Sequence, residues 1–368
     1  IPYFKTLGHD ADLTFKPTFF EKFTKFEKDK YILQTEFRKQ NRHSSLITDF
    51  AFLRNYKSSA DNQTKNVNHL FLDFKSDLEI PNYIDSDLEI QIERVTNDTY
   101  LKVFEKNLQD TAILPGSQTT MTSQVNLYLD QEDQNLSTGI IIYENLGASN
   151  NDKYQYTLPY YNFSKNISSI IEDYSFSGLI NFSSSGNNTL RDTNNLRTEI
   201  NNDLSYNSND FISNLGFKSN LNLYFKNLNT IGKNDSTFTS NAQIDGMSIL
   251  SVDTSLPLSK KSNNDTEQTL TPKVSLRINP GNNMNDHSTK TSNIDTSNVF
   301  NINRLAINDF EAGRSLTLGL DYKFDKLEKY IAEDIKDKFL EFKLATIIRD
   351  QNESDIPSSS TINKKNSN

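Results

Sequence analysis

The stretch Asp87–Val95, DLEIQIERV, sets Leu88, Ile90 and Ile92 at alternate positions, with Asp87, Glu89, Gln91 and Glu93 between them. With a side-chain period of two, this is a strand with one greasy face and one acidic face. What lies on each side of it decides the fold. A soluble sandwich would bury the greasy face against a second sheet. A membrane barrel would turn it to lipid and keep the acids in a wet interior.

The composition leans to the second arrangement. Only 35% of the 368 residues are hydrophobic, yet there are 24 Phe and 16 Tyr. Disordered chains tend to lack aromatics. A barrel needs water-facing residues at every second strand position and aromatic bands at its interfaces. No run approaches the ~18 consecutive apolar residues of a transmembrane helix. The mean hydropathy of −0.66 is silent about strands, because alternation averages out. Lys and Arg number 39 against 48 Asp and Glu, a formal charge of −9 with no basic stripe, which argues against nucleic acid. The absence of Cys removes disulfides and thiolate metal sites. The chain starts at Ile1 with neither an initiator Met nor a signal peptide and closes on the polar run SSSTINKKNSN, so both ends read as cut.

Strand-like segments recur along most of the length, about fifteen in all, many near the ~9–11 residues that a tilted membrane strand needs. The first, ADLTFKPTFF (11–20), carries Ala11, Leu13, Phe15, Pro17 and Phe19 on one face. KYILQTEFRKQ and SSLITDFAFL follow across a short polar turn at Asn41–His43. In SLTLGLDYKF, Leu316, Leu318, Leu320, Tyr322 and Phe324 share one face, and Ser315, Thr317, Gly319, Asp321 and Lys323 the other. Connections range from tight turns to a long polar loop from about Asn279 to Gly313, the unequal rims of an outer-membrane barrel. Two pieces break the pattern. NDTYLKVFEKNL (97–108) predicts a short helix capped near Asp98. NVFNINRLAINDFEAG (298–313) has helical spacing at Val299, Ile302 and Leu305.

Signs of chemistry are sparse. Glu89 and Glu93 could form a glycosidase pair, but that needs a set separation and one raised pKa. Alternating carboxylates on a strand are ordinarily a solvated face. His9, His43, His69 and His287 are scattered without metal-ligand spacing and read as surface or lumen imidazoles. NPGNNMNDHS (279–288) is rich in oxygen ligands but lacks the alternation and closing Glu of a calcium loop. No nucleophile elbow, phosphate loop or dinucleotide fingerprint is present. The expectation is a protein that is not an enzyme and carries no cofactor or metal.

Several stretches are familiar in order along the chain: Ile1-Pro2-Tyr3-Phe4 with Asp12 and Pro17, NDTYLKVF (97–104), QTLTPKVSLRINP (268–280) and NVFNINRLAINDFEAGRSLTLGLDY (298–322). They resemble the LptD (OstA/Imp) family of lipopolysaccharide-assembly outer-membrane proteins. The last is the most specific, through Asn298, Phe300, Asn303, Arg304, Asp309, Glu311 and Gly313. Leu305, Asn308 and Phe310 depart from the family's Phe, Gly and Arg, and the closing FKLATIIRDQ lacks its Gly and Gln.

The resemblance implies an all-β fold: an antiparallel transmembrane β-barrel of the outer membrane, incomplete here at about fifteen strands of a larger one. Residues 1–10 would be the junction from a missing periplasmic jelly-roll domain, 11–350 the N-terminal part of the barrel, and 351–368 a polar loop at the truncated end. The implied cargo is lipopolysaccharide, inserted into the outer leaflet through the lumen and a lateral gate. The implied partners are the plug lipoprotein LptE, an LptA-type periplasmic bridge reached through the missing domain, and outer-membrane lipid. Pro17 has no N–H and removes a ladder hydrogen bond from the strand that would close the barrel, and Pro2 weakens the approach to it. Each such bond is worth roughly 0.5–1.5 kcal/mol net, so the seam opens more cheaply. A plain strand edge is the other reading of Pro17. Asp87, Glu89, Gln91 and Glu93 would then line the lumen, where the net negative charge is awkward for an anionic, phosphorylated cargo. A complete porin-like channel, or a soluble all-β carbohydrate-binding module, are the alternatives. The porin should end on a strand with a terminal aromatic, and the soluble module should bury Leu88, Ile90 and Ile92.

Overall fold

The computed structural model describes residues 1–21, 29–57, 64–148, 152–168, 177–191, 194–262, 266–281, 293–305, 310–329, 334–350, 356–357 and 359–362. Its strands are β1 (Tyr3–Thr6), β2 (Ala11–Phe20), β3 (Lys30–Gln40), β4 (Ser44–Lys57), β5 (Thr64–Asp77), β6 (Asp85–Val95), β7 (Thr120–Asp130), β8 (Gln134–Asn145) and β9 (Tyr154–Ser168). They continue as β10 (Gly178–Arg191), β11 (Asn195–Ser208), β12 (Phe211–Ile212), β13 (Lys218–Lys233), β14 (Gln243–Ser255), β15 (Leu258–Ser262), β16 (Thr266–Asn279), β17 (Gly313–Lys329) and β18 (Asp334–Arg349). One short helix, α1 (Tyr100–Phe104), runs into a single 3-10 turn at Glu105–Asn107. The count of eighteen exceeds the expected fifteen through three short pieces, β1, β12 and β15. No helix among the described residues is long and apolar enough to cross a membrane, which says nothing of crossing by strands.

The chain divides into two compact units, Ile1–Ser164 with Ser184–Ile200 and Thr230–Ala242, and Lys165–Ser183 with Asn201–Asn229 and Gln243–Asn368. In the first, β1 to β8 form an antiparallel meander in which each strand pairs with the next. The register keeps the pleat aligned: Ile90 stands opposite Phe74 on β5 and Val125 on β7. Large apolar side chains on that face, Phe19, Phe50, Leu70, Val125 and Ile140, are exposed. Across the sheet, Gln34, Asp49 and His69 are buried. Large apolar side chains turned outward opposite buried polar ones are the arrangement of a barrel sheet whose outer face meets lipid. Leu88, Ile90 and Ile92 belong to this face, and among the described residues no second sheet covers them within their unit.

In the second unit, β14 pairs with β16, followed by β17 and β18, all antiparallel. Val274, Leu276, Leu318, Leu344 and Ile348 are exposed on one face, while Arg277, Ser315, Thr317 and Arg349 are buried on the other. The alternation read in SLTLGLDYKF is therefore real. The long loop lies where the sequence placed it, between β16 and β17. Its helical spacing does not make a helix, however: residues 296–303 form turns. Asp295 Oδ1 accepts the Ser297 N–H at 2.7 Å and Asn298 Oδ1 accepts the Asp295 N–H at 3.0 Å, the reciprocal bonds of a helix start. A single i→i−4 bond follows, from the Val299 N–H to the Asp295 carbonyl at 3.0 Å, before the chain goes on in turns.

Candidate functional site

In each unit a non-strand segment is folded onto the polar face of its sheet. In the first, Asn97 Oδ1 accepts both the N–H (3.0 Å) and the hydroxyl (2.9 Å) of Thr99, which starts α1. Asp98 is not the cap expected from sequence. Thr99 holds that position without its side chain capping a helix N–H, and Asp98 instead pairs with Lys153 at 2.9 Å. Tyr100, Leu101, Phe104 and Leu108 then face the sheet and cluster with Ile32, Ala51, Leu53, Val67 and Phe71. Each buried Leu or Phe contributes roughly 1.5–3 kcal/mol.

Under α1 lies a buried polar group. His69 is fully covered, stacked on Phe71 at 4.2 Å, with Nδ1 3.1 Å from the Tyr100 hydroxyl and Nε2 3.4 Å from Asp49 Oδ1. Asp49 Oδ2 also accepts from Gln34 Nε2 at 2.8 Å and from the Thr111 hydroxyl at 3.5 Å. Gln34 Oε1 accepts the Gln109 N–H at 2.7 Å. Burial, with the Asp49 charge adding to it, pushes the Tyr100 hydroxyl up, so it stays protonated. His69 is thus neither surface nor open lumen, because α1 covers it. His43 lies 3.3 Å from Glu79, His9 is exposed, and His287 lies outside the described residues.

In the second unit the segment is held by charge. Glu311, nearly fully buried, accepts from Arg304 through Nε at 2.7 Å and again through its terminal nitrogen. Its other oxygen takes Arg349 at 2.8 Å, and Arg277 lies 4.0 Å away. Arg304 also donates to the Val299 carbonyl (3.2 Å), Thr317 (3.1 Å) and Ser315 (3.0 Å), tying the loop to β17. Burial alone would raise the Glu311 pKa. The Arg304, Arg349 and Arg277 charges outweigh it and hold the carboxyl below the usual range. Gly313, at φ 81°, turns the chain into β17 in a conformation that suits glycine. Phe300 sits over Gly319, where an added Cβ would come within 2.5 Å of its ring. Asn298 braces the turn through the Asn293 carbonyl at 2.8 Å. Phe310 stacks on Tyr224 at 5.0 Å, above a fully buried Lys226 that donates to Asp203 at 3.1 Å. Behind the turn, Val299 and Leu305 are buried with Ile294, Ile347 and Ile356.

The structure thus joins Arg304 and Glu311 directly and seats Asn298, Phe300 and Gly313 around them. The Asn303 backbone lies in the same turn. Asp309 and Asn308 lie outside the described residues, as does most of the oxygen-rich stretch after Gly281. Arg277, Arg349 and Asp49 were not singled out from sequence, His69 was read there only as a surface or lumen imidazole, and Tyr100 only as part of the 97–104 stretch. The one signal of the strand residues was inward parity, which many others share.

Asp87, Glu89, Gln91 and Glu93 share the polar face of β6, all half-buried. Glu89 pairs with Lys75 at 3.0 Å, while Glu93 accepts from Gln91 (2.9 Å) and the Thr122 N–H (2.8 Å). Both carboxylates are occupied by structural partners, which disfavours the glycosidase pairing. The prolines meet at one place. β1 lies antiparallel on β2, and their pairing stops at Tyr3 opposite Phe15. Pro2 is the next residue on one strand, and Pro17 is two residues on along the other. Sequence had placed Pro2 at the start of the first long strand, whereas it precedes a separate strand on that strand's edge.

Compared with known families, residues 72–368 match the model described as LptD: LPS transport system D. No curated protein matches the chain.

Proposed function

The chain belongs to the LptD family of outer-membrane lipopolysaccharide-transport proteins, and from that premise we propose that it forms part of a translocon delivering lipopolysaccharide to the outer leaflet. The observation that carries the proposal is the inside-out polarity of both units. Leu, Ile, Phe and Val side chains are exposed on one face, while Asp49, His69, Arg277, Arg304 and Arg349 are buried on the other. In this reading the apolar face meets lipid, and the polar face, with Asp87, Glu89, Gln91 and Glu93 on β6, lines the path of the sugars. No bond is made or broken. The work is to hold a hydrophilic route beside a hydrophobic one.

In this reading the lateral gate lies at β2. Pro2 and Pro17 flank the end of the β1–β2 pairing, where neither can donate a ladder hydrogen bond. A seam short of such bonds opens at lower cost, by roughly 0.5–1.5 kcal/mol for each one missing. A plug lipoprotein of the LptE kind and an LptA-type bridge complete the proposed assembly, on the family likeness alone. The test is Pro17→Ala in the native protein. Slower appearance of lipopolysaccharide at the cell surface, with normal protein levels, is the expected result. Unchanged surface lipopolysaccharide would remove Pro17 from the gate.

A further inference from the structure

The first unit holds two adjoining polar cavities of about 720 and 550 Å3 that share Gln155, Arg191 and Asn195. Such volumes suit small ligands, but the lining is amide, hydroxyl and charge rather than hydrocarbon. An acyl chain would find no partner there. A saccharide would, since each hydroxyl both donates and accepts. Tyr143 and Tyr154 add ring faces with polar tips to the larger cavity.

The charges differ in how they are occupied. Lys153 is held by Asp98 at 2.9 Å and Glu144 at 3.3 Å. Arg197 lies 3.5 Å from Glu199 and over the Phe238 ring at 4.2 Å. Asp235 Oδ1 is taken by the N–H groups of Thr237 and Phe238, each at 2.8 Å. Arg191 differs. It is exposed, donates to Gln155 Oε1 at 3.4 Å, and has no carboxylate within 4 Å among the described residues, although Asp235, held down first by the Phe238 and Thr237 N–H groups, also feels the Arg197 and Arg191 charges. It stands where the two cavities meet. The surrounding frame is already set: Asn234, at φ 54°, donates to the Asn194 carbonyl at 3.1 Å, and Thr198 donates to Asn188 at 2.8 Å. A preformed site loses less freedom on binding.

We infer that these paired cavities bind a phosphorylated saccharide, its phosphate on Arg191 and its sugar rings in the amide-lined spaces on either side. The inference rests on the transport reading only for the source of that saccharide, the headgroup of lipopolysaccharide.

The test uses the native protein purified in detergent, with four probes: phosphorylated core oligosaccharide cleaved from lipopolysaccharide, the same oligosaccharide dephosphorylated, a simple hexose phosphate, and inorganic phosphate. The phosphorylated form should bind at least about tenfold more tightly than the dephosphorylated one. Arg191→Gln should abolish that difference and Arg191→Lys should keep part of it. Because Arg191 is exposed, neither change should disturb folding. Undiminished binding by Arg191→Gln would overturn the site. Inorganic phosphate competing as well as the oligosaccharide would overturn the saccharide. A simple hexose phosphate competing equally would uphold the site with a soluble ligand. Surface lipopolysaccharide, scored in the same strains, separates the two readings. Arg191-dependent binding in a protein whose loss leaves delivery unchanged would strike the transport reading alone. Delivery that needs the protein, with binding indifferent to Arg191, would strike the site alone.

Discussion

Residues 97–111 and residues 293–305 with 310–311 are each laid on the polar face of a sheet, the first by Tyr100, Leu101, Phe104 and Leu108, the second by Arg304 and Glu311. The first is a piece of ordinary core built on the polar side of a strand meander, with one buried His69–Asp49 pair beneath it. The second is a buried ion cluster of three guanidiniums around one carboxylate. Hydrocarbon contact is spread over many residues, so no single one is decisive. The ion cluster hangs on Glu311, because removing it takes away the one carboxylate that faces all three guanidiniums among the described residues.

The largest expected effect is therefore from Glu311→Gln. It should lower the local stability of the segment by about 3–5 kcal/mol, a cost typical of breaking a buried pair from one side. Amide hydrogen exchange across Ile294–Leu305 should speed up accordingly, while the 97–111 segment stays protected. Protection unchanged at Ile294–Leu305 would mean that the apolar contacts of Val299 and Leu305 hold the loop unaided. Leu108→Ala should loosen the first segment by about 2–3 kcal/mol through a lost side chain and the cavity left behind, without touching the second. Equal loosening of both would break the comparison.

Acid should separate them more gently. The Glu311 carboxyl has a folded pKa below its unfolded value, so its contribution is fully present above the unfolded pKa, ~4.3, and fades as pH falls through the lower folded value. The protection factor at Ile294–Leu305, which divides out the intrinsic pH dependence of amide exchange, should be flat from pH 7 to 5 and fall only below that window. A fall already at pH 6 would show that Glu311 is not the group that titrates.

The same contrast explains what sequence could show. Alternation exposed the faces of β6 and β17, because a strand in a barrel repeats one rule along its whole length. The 298–313 segment was legible as a motif, since Arg304, Glu311 and Gly313 carry charge and glycine at fixed spacing. Its partners Arg277 and Arg349 were not. They come from β16 and β18, and only pairing brings them to one point. The helix at 97–108 was legible, but its target was not: Asp49 and His69 sit on strands where a buried acid and a water-facing acid look alike. The three short strands escaped because too few residues carry an alternation.

The central claim is the polarity of the sheet, and one measurement addresses it. The chain has no Cys, so single cysteines at Ile90, Glu89, Leu344 and Lys343 can each carry a spin label in native outer membrane. Accessibility to oxygen, which concentrates in lipid, and to a water-soluble nickel complex would be compared at each position. The account predicts high oxygen access at positions 90 and 344 and preferential nickel access at 89 and 343. Nickel access at 90 and 344, with 89 and 343 shielded from both probes, would contradict it.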